Sequence, residues 1–191
     1  MRIVSFLVFL SISVWGYDDV YISNAIKEVS KKYNISQELL YTIIDIESGF
    51  NPLCLSLVTN KEGAEKLKDA NNEDIKIIAN NYKDKRYIVS LYPKNIDISK
   101  AIAHAFKEQK LSFDVGLAQI NSINFKKDEI DTIFEPIFNL EKSAKVLQTC
   151  SDVYENTQEI IECYNRGMVN KKSYPYYARF VKSYNKNFGV N

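Results

Sequence analysis

Residues 36–52 read SQELLYTIIDIESGFNP, from Ser36 to Pro52. Ser36 is a residue type that caps helix N-termini with its hydroxyl. Leu39, Leu40, Ile43 and Ile44 then recur at the spacing that places apolar side chains on one face of an α-helix. Gly49 suits the left-handed position just past a helix, and Pro52 prevents continuation. Glu47 follows Leu40 by seven residues, Ile43 by four and Ile44 by three. Its carboxyl group therefore stands on the apolar stripe, at the helix end. A carboxyl group there loses hydration, which favours its protonated form. Such a group can act as a general acid near neutral pH. The alternative is an ordinary solvated glutamate at a helix end, so the remainder of the chain has to decide.

The chain has 191 residues, of which 46% are hydrophobic, enough for one domain around one core. Residues 1–16 read as an export signal. Arg2 is followed by an apolar run from Ile3 to Val14, shorter than a bilayer span, and Val14-Trp15-Gly16 suits cleavage after Gly16. An uncleaved membrane anchor is the alternative reading of the same residues. Loss of residues 1–16 removes one arginine and no acid, leaving 24 basic against 24 acidic residues. That balance does not ask for nucleic acid or an anionic membrane surface.

The three cysteines, Cys54, Cys150 and Cys163, fit no metal-site spacing, and His104 is the only histidine. No metal or other cofactor is expected. Cys150 and Cys163 fall at the end of one expected helix and inside the next. A helical hairpin would bring them together, with Cys54 left over; three buried free thiols are the alternative.

Helices are expected over Val20–Lys32, with Val20, Ile22, Ala25, Ile26 and Val29 as its apolar positions, and near Lys61–Ala70, Asn72–Asn81 and Ile98–Lys110. Tyr87–Tyr92 reads as a short strand or a buried extended run. Further helices are expected over Ile133–Thr149, with Pro136 in the first turn, over Gln158–Asn165 and over Tyr174–Phe188. The fold class is mainly α with a small extended or β segment, and residues 17–191 form one domain.

Four segments carry a family resemblance: Glu47-Ser48 within ESGFNP, Gly116-Leu117-Ala118-Gln119-Ile120-Asn121, Cys163-Tyr164-Asn165-Arg166-Gly167, and Tyr177–Val181 as Tyr-x-x-x-Val. Together, and in this order, they resemble the motifs of the soluble lytic transglycosylases, whose catalytic domain has a goose-type-lysozyme-like fold. Ala118 stands where methionine is usual, and Cys163 where alanine is usual, which favours the disulfide. Residues 55–110 are longer than in the smallest members. The run SFDVGLAQINSINF is especially similar to the specialised transglycosylases of type IV secretion systems.

The resemblance implies an exported, periplasmic enzyme of a Gram-negative envelope. Its substrate would be peptidoglycan glycan strands, opened locally for a secretion or other envelope-spanning apparatus. The β-1,4 bond between N-acetylmuramic acid and N-acetylglucosamine would be cleaved without water, leaving 1,6-anhydromuramyl ends. It also implies roles: Glu47 as the single acid and base, Ser48 as a partner of that acid or of the substrate, Gln119 and Asn121 toward acetamido or hydroxyl groups, and Tyr164 and Asn165 near the scissile sugar. Tyr177 would bring its hydroxyl to the Glu47 carboxylate, with Tyr176 as its adjacent competitor. Asp114 is the only rival carboxylate within a motif. Were it to position a water, the enzyme would be a hydrolytic muramidase; an aspartate before a glycine turn more often bonds local backbone. A non-catalytic wall-binding assembly subunit is the remaining alternative.

Overall fold

The computed structural model describes residues 17–169 and 173–189, so the expected export signal lies outside the described residues. The chain opens with two helices, α1 (Asp19–Tyr33) and α2 (Gln37–Glu47). Each is capped as its residue types dictate: the Asp18 carboxylate accepts from the Tyr21 N–H at 2.7 Å and the Ser36 hydroxyl from the Leu39 N–H at 3.1 Å. The buried face of α1 comprises Ile22, Ala25, Ile26 and Val29. Val20 does not belong to it and is 68% exposed, because a residue two positions before Ile22 points away from the stripe. In α2, Leu40, Ile43 and Ile44 are fully buried, and Glu47 is the last helical residue.

Residues 55–121 contribute a five-stranded antiparallel sheet and two helices. Its strands are β1 (Leu55–Thr59), β2 (Ile75–Asn81), β3 (Tyr87–Pro93), β4 (Asp114–Val115) and β5 (Ile120–Asn121), in the order β2-β3-β1-β4-β5. The helices α3 (Lys61–Asp69) and α4 (Ile96–Glu108) pack against the face that buries Leu55, Leu57, Ile75, Ile77, Val89 and Leu91. The opposite face is half open.

The helix expected over Asn72–Asn81 is instead strand β2. Its Ile75 and Ile77 are buried and Lys76 exposed, a two-residue alternation of β-branched residues that suits a pleat. The asparagines before it divert backbone donors from helix formation. Asn72 accepts from the Asp74 N–H at 2.8 Å, and Asn71 from the Ile77 N–H at 2.8 Å. The Tyr87–Tyr92 run is the partner strand β3, paired with β2 on one side and β1 on the other.

Three helices complete the fold: α5 (Pro136–Ser151), α6 (Thr157–Arg166) and α7 (Pro175–Phe188). Helix α5 begins at Pro136 rather than Ile133. Glu135 before the proline is extended, which proline enforces on its predecessor, and Ile133 and Phe134 are buried in the preceding turn. Helix α1 packs on α5, α2 on α7, and α6 on both α5 and α7. A disulfide between Cys150 and Cys163 joins the end of α5 to α6. The architecture is mainly α with a small antiparallel sheet. Among the described residues, no helix is long and apolar enough to cross a membrane.

Candidate active site

A cleft of about 600 Å³ runs between the helices and the open face of the sheet. Glu47 lies at its floor, half-buried at the end of α2, with Tyr164 and Asn165 of α6 and Arg179 of α7 on the same side. The other side is built from Ser56, Ser90, Asp114, Gln119 and Asn121.

Burial raises the Glu47 carboxyl from its ordinary value of 4.5 to about 7. The Asp114 carboxylate raises it further, while the side chains of Tyr176 and Asn165 and the charge of Arg179 favour the ionised form. The acid is thus protonated over much of the range below pH 7, yet its ionised form has nearby donors and a cation. Such a group can deliver a proton and take one back. Burial likewise raises Asp114, from 3.8 to about 6, against opposing hydrogen bonds from Asn121 and Ser56.

Adjacent tyrosines at the start of α7 take different places from those expected. The structure puts Tyr176, rather than Tyr177, beside the Glu47 carboxylate. Tyr176 is 2% exposed, and among the described residues its hydroxyl has no partner of good hydrogen-bond geometry, although it faces Glu47 closely enough to lower that carboxyl's pKa. Tyr177 stacks on Phe180 with ring centroids 6.4 Å apart. The difference follows from how α7 is anchored. The buried Glu162 of α6 accepts from the Tyr177 N–H at 2.8 Å, which sets the rotation of the helix, and neighbours on a helix point about 100° apart. The Arg179 guanidinium lies over the Tyr176 ring, 5.1 Å from its centroid.

The loop between β4 and β5 forms the facing wall, and its side chains are bonded internally. Gly116 has φ +76°, and a Cβ there would come within 2.4 Å of the Asn139 amide nitrogen. Only glycine fits that position. Asn139, fully buried on α5, accepts from the Ala118 N–H at 2.9 Å and donates to the carbonyls of Val115 at 3.1 Å and Ile133 at 3.0 Å. Gln119 sits at φ +45°, unusual for a residue with a side chain. Its amide oxygen accepts from Ser56 at 2.8 Å, and its nitrogen donates to the Gly116 carbonyl at 2.9 Å and the Cys54 sulfur at 3.1 Å. Asn121 accepts from the Ile123 N–H at 3.1 Å and donates to Asp114 at 2.8 Å. Both carboxamides face the cleft, but they are engaged in holding the loop.

The remaining expected residues divide similarly. The Ser48 hydroxyl donates to the Ile44 carbonyl at 3.3 Å, closing the end of α2, and is not among the cleft residues. Tyr164 lines the cleft. Its hydroxyl donates to the Ala118 carbonyl at 2.7 Å and lies 3.0 Å from the Ser143 hydroxyl, tying α6 to both the loop and α5. Asn165 is exposed at the mouth. Cys54 is a buried free thiol whose hydrogen donates to the Asn51 carbonyl, and burial pushes it up to about 12.

Sequence reasoning missed Arg179, Asn139 and Ser56. Arg179 follows Tyr176 by three residues, one turn along α7, and that spacing is the signal that would have flagged it. Asn139 and Ser56 meet the loop from distant segments, and nothing local marks them.

A family model described as a transglycosylase SLT domain matches residues 24–187. Neither a curated protein nor a solved structure matches the chain significantly.

Proposed function

Because the chain belongs to the SLT transglycosylase family and is a peptidoglycan lytic transglycosylase, we propose that Glu47 performs both proton transfers of its reaction. Most glycosidases use two carboxylates. Here the Glu47 carboxylic acid protonates the oxygen leaving the muramyl anomeric carbon. The resulting carboxylate, with Tyr176, Asn165 and Arg179 around it, then removes the proton of the muramyl C6 hydroxyl. That oxygen attacks the anomeric carbon of the same sugar, giving the 1,6-anhydromuramyl end and regenerating the acid. Intramolecular attack benefits from effective molarity, so no activated water is needed.

The observation that carries this reading is the placement of Glu47 at the cleft floor, where burial raises its carboxyl pKa to about 7. Asp114, the carboxylate a hydrolytic muramidase would need, accepts from Asn121 within the hairpin. That engagement favours a positioning role. Mass spectrometry of muropeptides released from purified sacculi separates the two: anhydro ends are expected, and a digest of reducing ends alone would establish hydrolysis.

The substrate places the enzyme's work outside the cytoplasm. We further propose export through residues 1–16 into the periplasm, a single catalytic domain over residues 17–191, and local opening of the wall for a secretion or comparable envelope machine. The support for the last is the similarity of SFDVGLAQINSINF to that group. Loss of apparatus assembly on deletion, restored by the wild-type gene and not by a Glu47→Gln copy, is the expected result.

A further inference from the structure

The open face of the sheet carries side chains that the proton chemistry does not use. Directly opposed residues of antiparallel strands share a face. One row therefore crosses all five strands: Ile78, Ser90, Ser56, Asp114 and Asn121. The next row contains Asn80, Ile88 and Val58. The face is polar where it meets the acid and becomes aliphatic toward β2. Ile78 and Ile88 are half-exposed there, and Val58 is 40% exposed. Lys76, exposed, stands on the same face two residues from Ile78.

At the sheet's other edge the chain presents a second aliphatic group. Ile123, in the turn after β5, lines the cleft and is 86% exposed. That turn is tied on both sides. The Lys107 ammonium donates to the carbonyls of Ser122 and Phe125, the Ser122 N–H donates to the Phe113 carbonyl at 2.7 Å, and Asn121 holds the Ile123 N–H. Isolated exposed aliphatics are common. Ile88 and Ile123 line the substrate cleft, the latter on a firmly anchored turn, and Val58 and Ile78 continue the same sheet face beyond Ile88; aliphatics grouped in this way mark a surface that is covered when the ligand binds.

The substrate itself supplies the cover. Peptidoglycan bears a short peptide on the lactyl group of the muramyl sugar, beside the scissile bond, with alanyl methyl groups and free carboxylates. We propose that the aliphatic rim formed by Val58, Ile78, Ile88 and Ile123 receives this stem peptide, with Lys76 meeting one of its carboxylates, so that the enzyme selects peptide-bearing over naked glycan. The inference rests on the transglycosylase reading and adds a specificity surface to it. It commits the open face of the enlarged 55–110 segment to substrate rather than to another protein.

The test compares kcat/KM on peptide-bearing glycan strands with that on strands stripped by an amidase. Wild-type protein is expected to favour the peptide-bearing strands by about tenfold, the scale on which a few apolar contacts discriminate substrates. The double variant Ile88→Ser/Ile123→Ser should bring the ratio close to one, and Lys76→Glu should lower it severalfold. A wild-type ratio near one overturns the inference while anhydro products still stand. An equal loss on both substrates in the double variant also overturns it, since the isoleucines would then wall the sugar alone. If neither substrate yields anhydro ends, the transglycosylase reading fails. Titration of the Glu47→Gln protein with a disaccharide-tetrapeptide and with the peptide-free disaccharide then decides the inference: tighter binding of the former supports it, and equal binding overturns it.

Discussion

The two walls of the cleft are built on opposite principles. On the helical side, Glu47 is desolvated, the Tyr176 hydroxyl lacks a well-formed partner among the described residues, and Asn165 and Arg179 reach the surface. On the sheet side, Gln119, Asn121, Asp114 and Ser56 bond to one another and to backbone. Unsatisfied groups are costly in a folded protein and persist where chemistry uses them. Satisfied networks make geometry. The helical wall therefore supplies proton transfer and the sheet wall supplies shape. Substitutions on the first should change rate with little loss of stability, and substitutions on the second should do the reverse.

The sharpest break of that division is Glu47→Gln. The amide keeps the shape and cannot donate the required proton, so turnover should fall by about 10²–10⁴-fold or more. Stability should move the other way. A carboxyl group whose folded-state pKa is raised makes its full contribution below the unfolded value near 4.5 and loses it as pH climbs through about 7. At pH 7.5 the folded protein holds Glu47 at a cost that glutamine does not incur. The variant should therefore melt higher than wild type at pH 7.5 and show no such advantage at pH 4. Wild-type activity should decline as pH rises through about 7, since the acid form is lost. A variant retaining a tenth of the activity would remove Glu47 from the mechanism.

Asn139→Ala should act in the opposite sense. It strands the Ala118 N–H and the Val115 and Ile133 carbonyls in a buried place. Leaving buried polar groups unpaired costs about 1–3 kcal/mol each, so a loss of about 3 kcal/mol is conservative. For a chain of this size that lowers Tm by roughly 6–12 °C. Thermal melts read the effect directly. Activity measured well below the new melting temperature should fall far less than in Glu47→Gln.

The disulfide is part of the helical wall, since Cys150 and Cys163 both line the cleft, and Tyr164 follows Cys163 directly. Its partners are 13 residues apart in sequence. Closing a loop of that length stabilises by about 3 kcal/mol in the chain-entropy account. Reduction, or Cys150→Ser, should lower Tm by a few degrees or more and weaken activity by loosening α6. Cys54→Ser should do neither severely. Unchanged melting with and without reductant, on protein whose thiols have been counted, would contradict this.

How much could be read beforehand follows the range of the interactions. Helix α2 was legible because the Ser36 cap, the Leu40-Ile43-Ile44 stripe and Gly49 all act within one short local stretch. Glu47 was legible for the same reason: its burial is dictated by the stripe it ends. Strand β2 was misread because Ile75-Lys76-Ile77 alternates over too few residues to outweigh the surrounding polar ones. Asn139 was invisible, since its three backbone partners lie up to 24 residues away. Gln119 and Asn121 were found as cleft residues, but their engagement by Ser56, Asp114 and the loop backbone could not be seen without the hairpin register. The motif ranked Tyr177 ahead of Tyr176 and the structure reverses that order, because the rotation of α7 depends on Glu162 in another helix.

That last pair provides the finest test. Tyr176→Phe keeps the buried ring and removes only the hydroxyl facing Glu47, a group that favours the ionised acid. Without it the carboxyl pKa should rise further, so the alkaline limb of the pH–rate profile moves to higher pH. The conjugate base also loses a partner just when it must collect the C6 proton, and kcat should fall by about tenfold, the equivalent of one hydrogen bond to a charged group. Among the described residues the hydroxyl has no other well-formed bond to lose, so Tm should stay nearly constant. Tyr177→Phe removes a hydroxyl that does not meet the acid, and should leave both the limb and kcat within twofold of wild type. A shift of the limb in Tyr177→Phe with none in Tyr176→Phe would return the role to Tyr177 and require α7 to be rotated in the working enzyme.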